Sequence, residues 1–233
     1  MTSWLYNHDF SYKKPKESPK KADSAAQEQF IKKYEELKNT TPEDEPILFC
    51  DAVHPTMATR VTYGWIKKGK NKTIATTASR TRINVVGAVN LKTMDVIAED
   101  YDTIDSASMT AFFEKLREKY SGSRPINLIL DRGAYNTSAE TQEAAAKFNI
   151  KLHHLPPYSP NLNPIERLWK IMHEIVQNNI VFQSAKEFKE KIMSFFSEIW
   201  PKMSEEAKSR RINDNFQRIG LPSPLILNPA FSS

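Results

Sequence analysis

The sequence is poor in cysteine, in long apolar runs and in internal repetition, and each shortage removes a class of protein. With Cys50 as its single cysteine, the chain can form neither an intramolecular disulfide nor a thiolate-built zinc site. Cys50 is expected to be a small buried strand residue. No stretch approaches the ~20 apolar residues of a membrane-spanning helix. The polar, aromatic N-terminus lacks the apolar core of a secretory signal, so a cytosolic protein is expected. No repeat is visible. Neither sign of charge dominates strongly: Lys and Arg total 33 against 28 Asp and Glu, a net charge of +5. That excess is compatible with nucleic acid without establishing it. A length of 233 residues suffices for one sizeable α/β core with appendages.

Residues 1–45 read as a basic N-terminal arm, a helix and a linker. Lys13, Lys14, Lys16, Lys20 and Lys21 cluster around Pro15 and Pro19, which oppose helix. The run reads either as a solvated linker or as a DNA-backbone contact. A helix is expected from Ala25 to Leu37, with Phe30, Tyr34 and Leu37 on one stripe. The core is expected over 46–200, with strands at Ile47–Val53, Arg60–Lys67, Arg82–Leu91, Met94–Asp100, Ile126–Leu130 and Ile150–Leu155. Helices are expected at Ser108–Tyr120, at Thr137–Phe148 and from Glu166 onward. This order predicts an α/β fold: three antiparallel strands, then parallel βαβ units, in a mixed sheet flanked by helices. Residues 201–233 form a helical C-terminal extension in this reading.

Three acids stand where apolar segments deliver them to a surface. Asp51 follows Ile47-Leu48-Phe49-Cys50, Asp131 follows Ile126-Asn127-Leu128-Ile129-Leu130, and Glu166 opens a helix after a proline-rich loop. A carboxylate at the end of a buried strand is costly to desolvate and usually meets a cation. Three such groups could hold two Mg²⁺ ions about 4 Å apart, an arrangement that cuts and joins phosphodiesters. Each has a plainer reading. Asp131, before Gly133, could be a turn residue. Asn163, Pro164 and Glu166 have the spacing of a capping box. Yet Glu166, Lys170 and His173 flank an apolar face made by Ile165, Leu168, Trp169, Met172, Ile175 and Val176, which sets Glu166 at the border of core and solvent.

The segment Leu155-Pro-Pro-Tyr-Ser-Pro-Asn-Leu-Asn-Pro-Ile-Glu166-Arg-Leu-Trp169 resembles the third-acid motif of the DDE endonuclease superfamily, and above all of bacterial insertion-sequence transposases related to the mariner group. Asp131 and Glu166 are separated by 34 residues, a spacing that group also uses. Phe49-Cys-Asp51-Ala-Val-His54-Pro55, followed by Gly64-Trp65 and Lys67-Lys68-Gly69-Lys70, resembles its first-acid region. The resemblance covers about residues 45–200. It implies an RNase H-like core, Asp51, Asp131 and Glu166 as catalytic metal ligands, two Mg²⁺ ions (with Mn²⁺ as substitute), double-stranded DNA as substrate, and a homodimer on paired transposon ends. Around the second acid the chain departs from the family, with Arg132 and Asn136 where the family has Asn and a nearby His. Family members carry helix-turn-helix domains. Met1 to Phe10 resembles the end of one, which implies a truncated copy or a protein whose helix-turn-helix segment is separately encoded.

Other candidates carry less. His54 and His173 are possible auxiliary groups; His54 also reads as a surface-loop residue, and His173 as a partner of Glu166. His153 and His154 point to opposite faces of a strand and read as structural. Trp65 reads as a base-stacking or, by default, a sheet-packing residue. Lys67, Lys68, Lys70 and Lys72 lie on a turn suited to phosphate contact. Arg210, Arg211 and Arg218 read as a solvated face. The rivals to a transposase are a non-catalytic DNA-binding remnant and an RNase H-like nuclease without strand transfer.

Overall fold

The computed structural model describes residues 2–11, 21 and 23–216. The expected DNA contacts at Lys13, Lys14, Lys16 and Lys20, and Arg218, lie outside the described residues. In chain order the main elements are α1 (Thr2–Asn7), α2 (Ser24–Thr40), β1 (Ile47–Val53), β2 (Asn84–Asn90), β3 (Val96–Tyr101), α3 (Ser106–Lys119), β4 (Ile126–Leu130), α4 (Ala134–Thr137), α5 (Ala139–Lys147), β5 (Ile150–His154), α6 (Ile165–Val176), α7 (Ala185–Ser194), α8 (Trp200–Lys202) and α9 (Glu205–Arg211). The sheet order is β3-β2-β1-β4-β5. β1 pairs antiparallel with β2 and parallel with β4. β2 pairs antiparallel with β3, and β4 parallel with β5. The mixed sheet expected from the sequence is therefore present.

Alternation along the strands divides the core between two faces. Leu48, Cys50, Val86, Ala88, Leu128 and Leu130 pack with Phe112, Phe113 and Leu116 of α3 and with α5. Phe49, Val85, Val89 and Ile129 pack on the other face, with α6, α7 and Phe30 and Tyr34 of α2. The stripe expected on α2 is thus seated on the sheet itself, and Ile212 beyond α9 joins the same cluster. Cys50 is buried and free. No described helix is long and apolar enough to cross a membrane.

One expected strand is absent. Arg60–Lys67 belongs to no strand, although Arg60 makes an isolated bridge to Asn178. Both edges of β1 are taken by β2 and β4, so the alternating Val61, Tyr63 and Trp65 find no face to cover. Trp65 is fully exposed, at 107 %, which overturns its expected role as a sheet-packing residue. The antiparallel trio is instead built from β1, β2 and β3.

Candidate active site

β1 carries Asp51 on the same face as Phe49, toward α6. Its partner in register on β2 is Gly87. A Cβ at Gly87 would stand 2.5 Å from Cη2 of Trp169 and 3.3 Å from the Ile97 carbonyl oxygen, so the indole lies directly on the glycine. From there Trp169 Nε1 donates to Asp51 Oδ2 at 3.3 Å. Phe196 packs edge-on against the indole, with ring centroids 5.9 Å apart. Trp169 lies one helical turn beyond Glu166, so one side chain links the first and third acids.

Asp131 leaves β4 next to β1. Its Oδ1 accepts from Gly133 N at 2.9 Å and from Asn136 Nδ2 at 2.7 Å. Asp131 is thus a turn residue in the sense expected, and those bonds fix one oxygen while the side chain lines the cleft with Asp51 and Glu166. Asn136 is buried, and its Oδ1 has no hydrogen-bond partner among the described residues.

Glu166 enters from the loop after β5. Gln27 of α2 donates to Ser159 Oγ at 2.9 Å, and Leu162 and Ile165 are fully buried, which anchors the loop on both sides. The capping box does not form. The N-cap position falls on Pro164 with no side-chain cap bond, and Asn163 Nδ2 donates instead to the Cys50 carbonyl at 3.2 Å. Asn163 therefore ties the start of α6 to β1 beside Asp51, leaving Glu166 without a capping role. On the apolar face of α6, Ile171 is buried and Ile175 is 40 % exposed, so Ile171 takes the place expected for Ile175.

Asp51, Asp131 and Glu166 line one cleft of about 550 Å³, with Arg132, Asn163 and Tyr158 on its walls. A slightly larger cleft of about 600 Å³, lined by Tyr34, Asn90 and Asp214, contains none of these acids. Burial, then the charge of Glu166, pushes the Asp51 carboxyl up to about 7. Burial also raises Glu166; the Asp51 carboxyl, acting as its hydrogen-bond partner, pulls it back, and Asp131 raises it. The pair therefore retains a proton above the usual carboxylate range. Burial and the charges of Asp131 and Asp51 likewise raise the Tyr135 hydroxyl.

Hard oxygen donors and mutual repulsion suit this trio to a hard divalent cation, which would relieve the charge that now holds a proton. As the side chains stand, no group of three or more His, Cys, Asp and Glu among the described residues is arranged to hold a metal.

The other candidates separate. His54 is exposed, and its Nδ1 donates to Asn84 Oδ1 at 2.8 Å. His153 Nε2 donates to Asn127 Oδ1 at 3.1 Å, and His154 Nδ1 to the Asp131 carbonyl at 3.1 Å, in keeping with structural roles. His173 bonds to Gln177, not to Glu166. Lys67, Lys68, Lys70 and Lys72 are exposed on the expected turn, closed by Lys70 N donating to the Lys67 carbonyl at 2.9 Å. Arg211 is paired with Glu174. Sequence reasoning missed the positioning roles of Trp169, Gly87, Asn136 and Asn163. A glycine inside a strand is the one local signal that pointed to a close approach.

Residues 46–189 match the family model described as DDE superfamily endonuclease, and residues 1–34 match one described as winged helix-turn helix. A 39 kDa protein of insertion element IS630 from Shigella sonnei is 26% identical over 160 residues, 68% of this chain and 46% of that protein. The uncharacterized protein y4pE/y4sA of Sinorhizobium fredii is 32% identical over 102 residues, 44% of this chain and 70% of that protein. The chain thus spans about half the length of the Shigella relative. The Mos1 transposase paired-end complex with left transposon end superposes with a TM-score of 0.67 at 15% identity, covering 91% of this chain and 65% of that one. The Mos1 mariner catalytic domain gives 0.54 at 14% identity, covering 84% and 89%. At such identities the likeness establishes the fold, which is RNase H-like.

Proposed function

Because the chain belongs to the DDE superfamily endonuclease family, we propose that it is the catalytic chain of a transposase, cleaving DNA phosphodiesters and joining the freed ends to target DNA. The convergence of Asp51, Asp131 and Glu166 in one cleft carries this reading. The domain division that goes with it is a DNA-binding remnant over 1–45, a catalytic region over 46–200 and an extension beyond.

Asp51, Asp131 and Glu166 would hold two divalent ions, Mg²⁺ or Mn²⁺. Bound there, these ions supply charge neutralisation to the phosphate and to the entering and leaving oxygens. The chain's part is geometry. Trp169 fixes one oxygen of Asp51. Asn136 and Gly133 fix one oxygen of Asp131. Asn163 fixes the start of the helix that bears Glu166. In the first reaction, water attacks a phosphorus at the element's end, the P–O3′ bond breaks, and the departing oxygen leaves as a 3′-hydroxyl. In the second, that hydroxyl attacks a target phosphodiester, whose own 3′-oxygen takes up the proton. Lys67, Lys68, Lys70 and Lys72, with Lys13, Lys14 and Lys16, contact phosphates in this reading. The working form is a homodimer on paired ends, and a separately encoded helix-turn-helix segment would complete end recognition. His54 and His173 have no role at the reacting atoms here.

The test is Asp131→Asn. It removes one anionic donor and keeps a side chain able to accept the Gly133 and Asn136 bonds. Metal-dependent cleavage and joining of transposon-end DNA should be lost, while the thermal unfolding midpoint holds or rises. Retained cleavage would leave Asp131 as a turn residue only and remove the metal-site reading.

A further inference from the structure

Two residues past Asp51, β1 ends and the chain runs out into a long arm before returning as β2. Its base is fixed. Met57 N donates to the Thr81 carbonyl at 2.8 Å, Thr59 N to Thr77 at 3.1 Å, and Ile83 N to Pro55 at 3.2 Å. The loop after α6 braces one limb. There Asn179 N donates to the Arg60 carbonyl at 2.8 Å, and Thr62 N donates to Asn179 Oδ1 at 2.9 Å. Within and just beyond this brace, Val61 is 62 % exposed, Tyr63 106 %, Trp65 107 % and Ile66 50 %. These side chains share the arm with Arg60, Lys67, Lys68, Lys70, Lys72 and Arg82, and no Asp or Glu occurs from residue 52 to residue 94. None of those cations is paired with a carboxylate among the described residues.

Large aromatic side chains left in water on a braced support mark a contact surface. The charge decides the kind of partner. Cations interleaved with aromatic rings, without any acid, match a polyanion that also presents flat apolar faces, which is nucleic acid. The rings narrow the choice further. In an intact duplex the base faces are covered by their neighbours and only edges show in the grooves. Tyr63 and Trp65 can stack only where a base face is open: at a strand end, a flap, or an unstacked step. Cleavage and joining create such places, and the arm leaves the end of the central strand β1 two residues past Asp51.

Resting on the transposase reading, we propose that this arm is a binding surface for DNA with exposed base faces, with Tyr63 and Trp65 stacking on unpaired or unstacked bases and the arm's cations on the flanking phosphates.

The experiment is fluorescence anisotropy with the full chain on two labelled DNAs of equal length, a perfect duplex and a duplex with a short unpaired flap. The wild-type chain should bind the flapped DNA more tightly. Trp65→Ala should weaken flapped-DNA binding about tenfold and duplex binding little. Trp65→Phe should restore most of the loss, and Lys68→Ala should weaken both DNAs alike. A Trp65→Ala chain that binds both DNAs as the wild type does would overturn the proposal. So would one with normal DNA binding that sediments as a monomer where the wild type is a dimer, since that assigns the arm to a second copy of the chain. Wild-type binding without preference for the flap rejects the stacking surface and leaves the transposase reading standing. No DNA binding by the wild type rejects both.

Discussion

Asp51 is the residue on which the cleft's electrostatics turn. It is largely buried, beside Glu166 and within the field of Asp131, and its carboxyl is raised to about 7. The unfolded chain would titrate it near ~3.9. The folded state therefore binds more protons than the unfolded one between those values. Stability from this group is fully present below the unfolded value and is lost as pH rises through about 7. Metal-free protein should accordingly melt at lower temperature at pH 8 than at pH 5.5, apart from other titrations. Asp51→Asn isolates the effect, because the amide oxygen can still accept from Trp169. The metal-free variant should gain on the order of 2–4 kcal/mol at pH 8, at about 1.4 kcal/mol per unit of the raised carboxyl, and should melt several degrees higher. It should lose most of that advantage at low pH. Thermal unfolding of both proteins across this range is the measurement, and an equal slope for both would remove Asp51 as the source.

At the level of elements, β2 and α6 meet at one contact that serves the site. Gly87 leaves the space that Trp169 fills, and Trp169 uses its position to hold Asp51. Two substitutions divide these roles. Gly87→Ala drives a methyl into the indole and toward the Ile97 carbonyl, so overpacking should destabilise the fold by ~1–3 kcal/mol in urea unfolding. Trp169→Phe keeps an aromatic ring but deletes the donor. It also empties the space over Gly87, so it should cost ~1–3 kcal/mol of stability, and about tenfold in metal affinity, the scale typical of a lost bond to a ligand. Calorimetric titration with Mn²⁺ reads this without any turnover. Unchanged affinity would make the Trp169–Asp51 bond incidental. Asn163 works at a different joint, where the start of α6 meets β1.

For the whole molecule, charge is spread unevenly more than it is large. The net excess is only +5, yet residues 52–94 contain no acid. Binding to DNA through such a surface is driven by release of counterions and should fall steeply with salt. We expect log K to decline linearly with log salt, and Lys67→Ala combined with Lys70→Ala to flatten the slope by about two contacts. Binding of matched and random duplexes should differ little, since phosphate contacts position a protein without reading bases. A preference of several hundredfold for transposon ends would place a sequence reader within the chain, with residues 1–34, which match a winged helix-turn helix model, as its first candidate.

Much of this architecture follows from local sequence. The apolar runs ending in Asp51 and Asp131 read as buried strands because they are too short for a stable helix and are apolar on both faces, as a strand inside a covered sheet must be. The stripes on α2, α3 and α6 are set by helical period. A long motif of Pro, Asn and Glu pointed to Glu166. Local pattern misled where the answer depended on what else lay nearby. Arg60–Lys67 alternates like a strand but has no free edge beside β1. Asn163 has the chemistry of a helix cap, yet its amide meets the Cys50 carbonyl, 113 positions away in sequence. Gly87, Trp169 and Asp51 lie in three separate segments, and their contact exists only once β1, β2 and α6 are stacked. Local pattern was enough to say which acids reach a surface and on which elements. Packing alone brings the three into one cleft, raises the Asp51 carboxyl there and sets Asn163 and Trp169 against β1, because burial, and approach across the 113 positions between Asn163 and Cys50 and the 118 between Trp169 and Asp51, are properties of the packed chain.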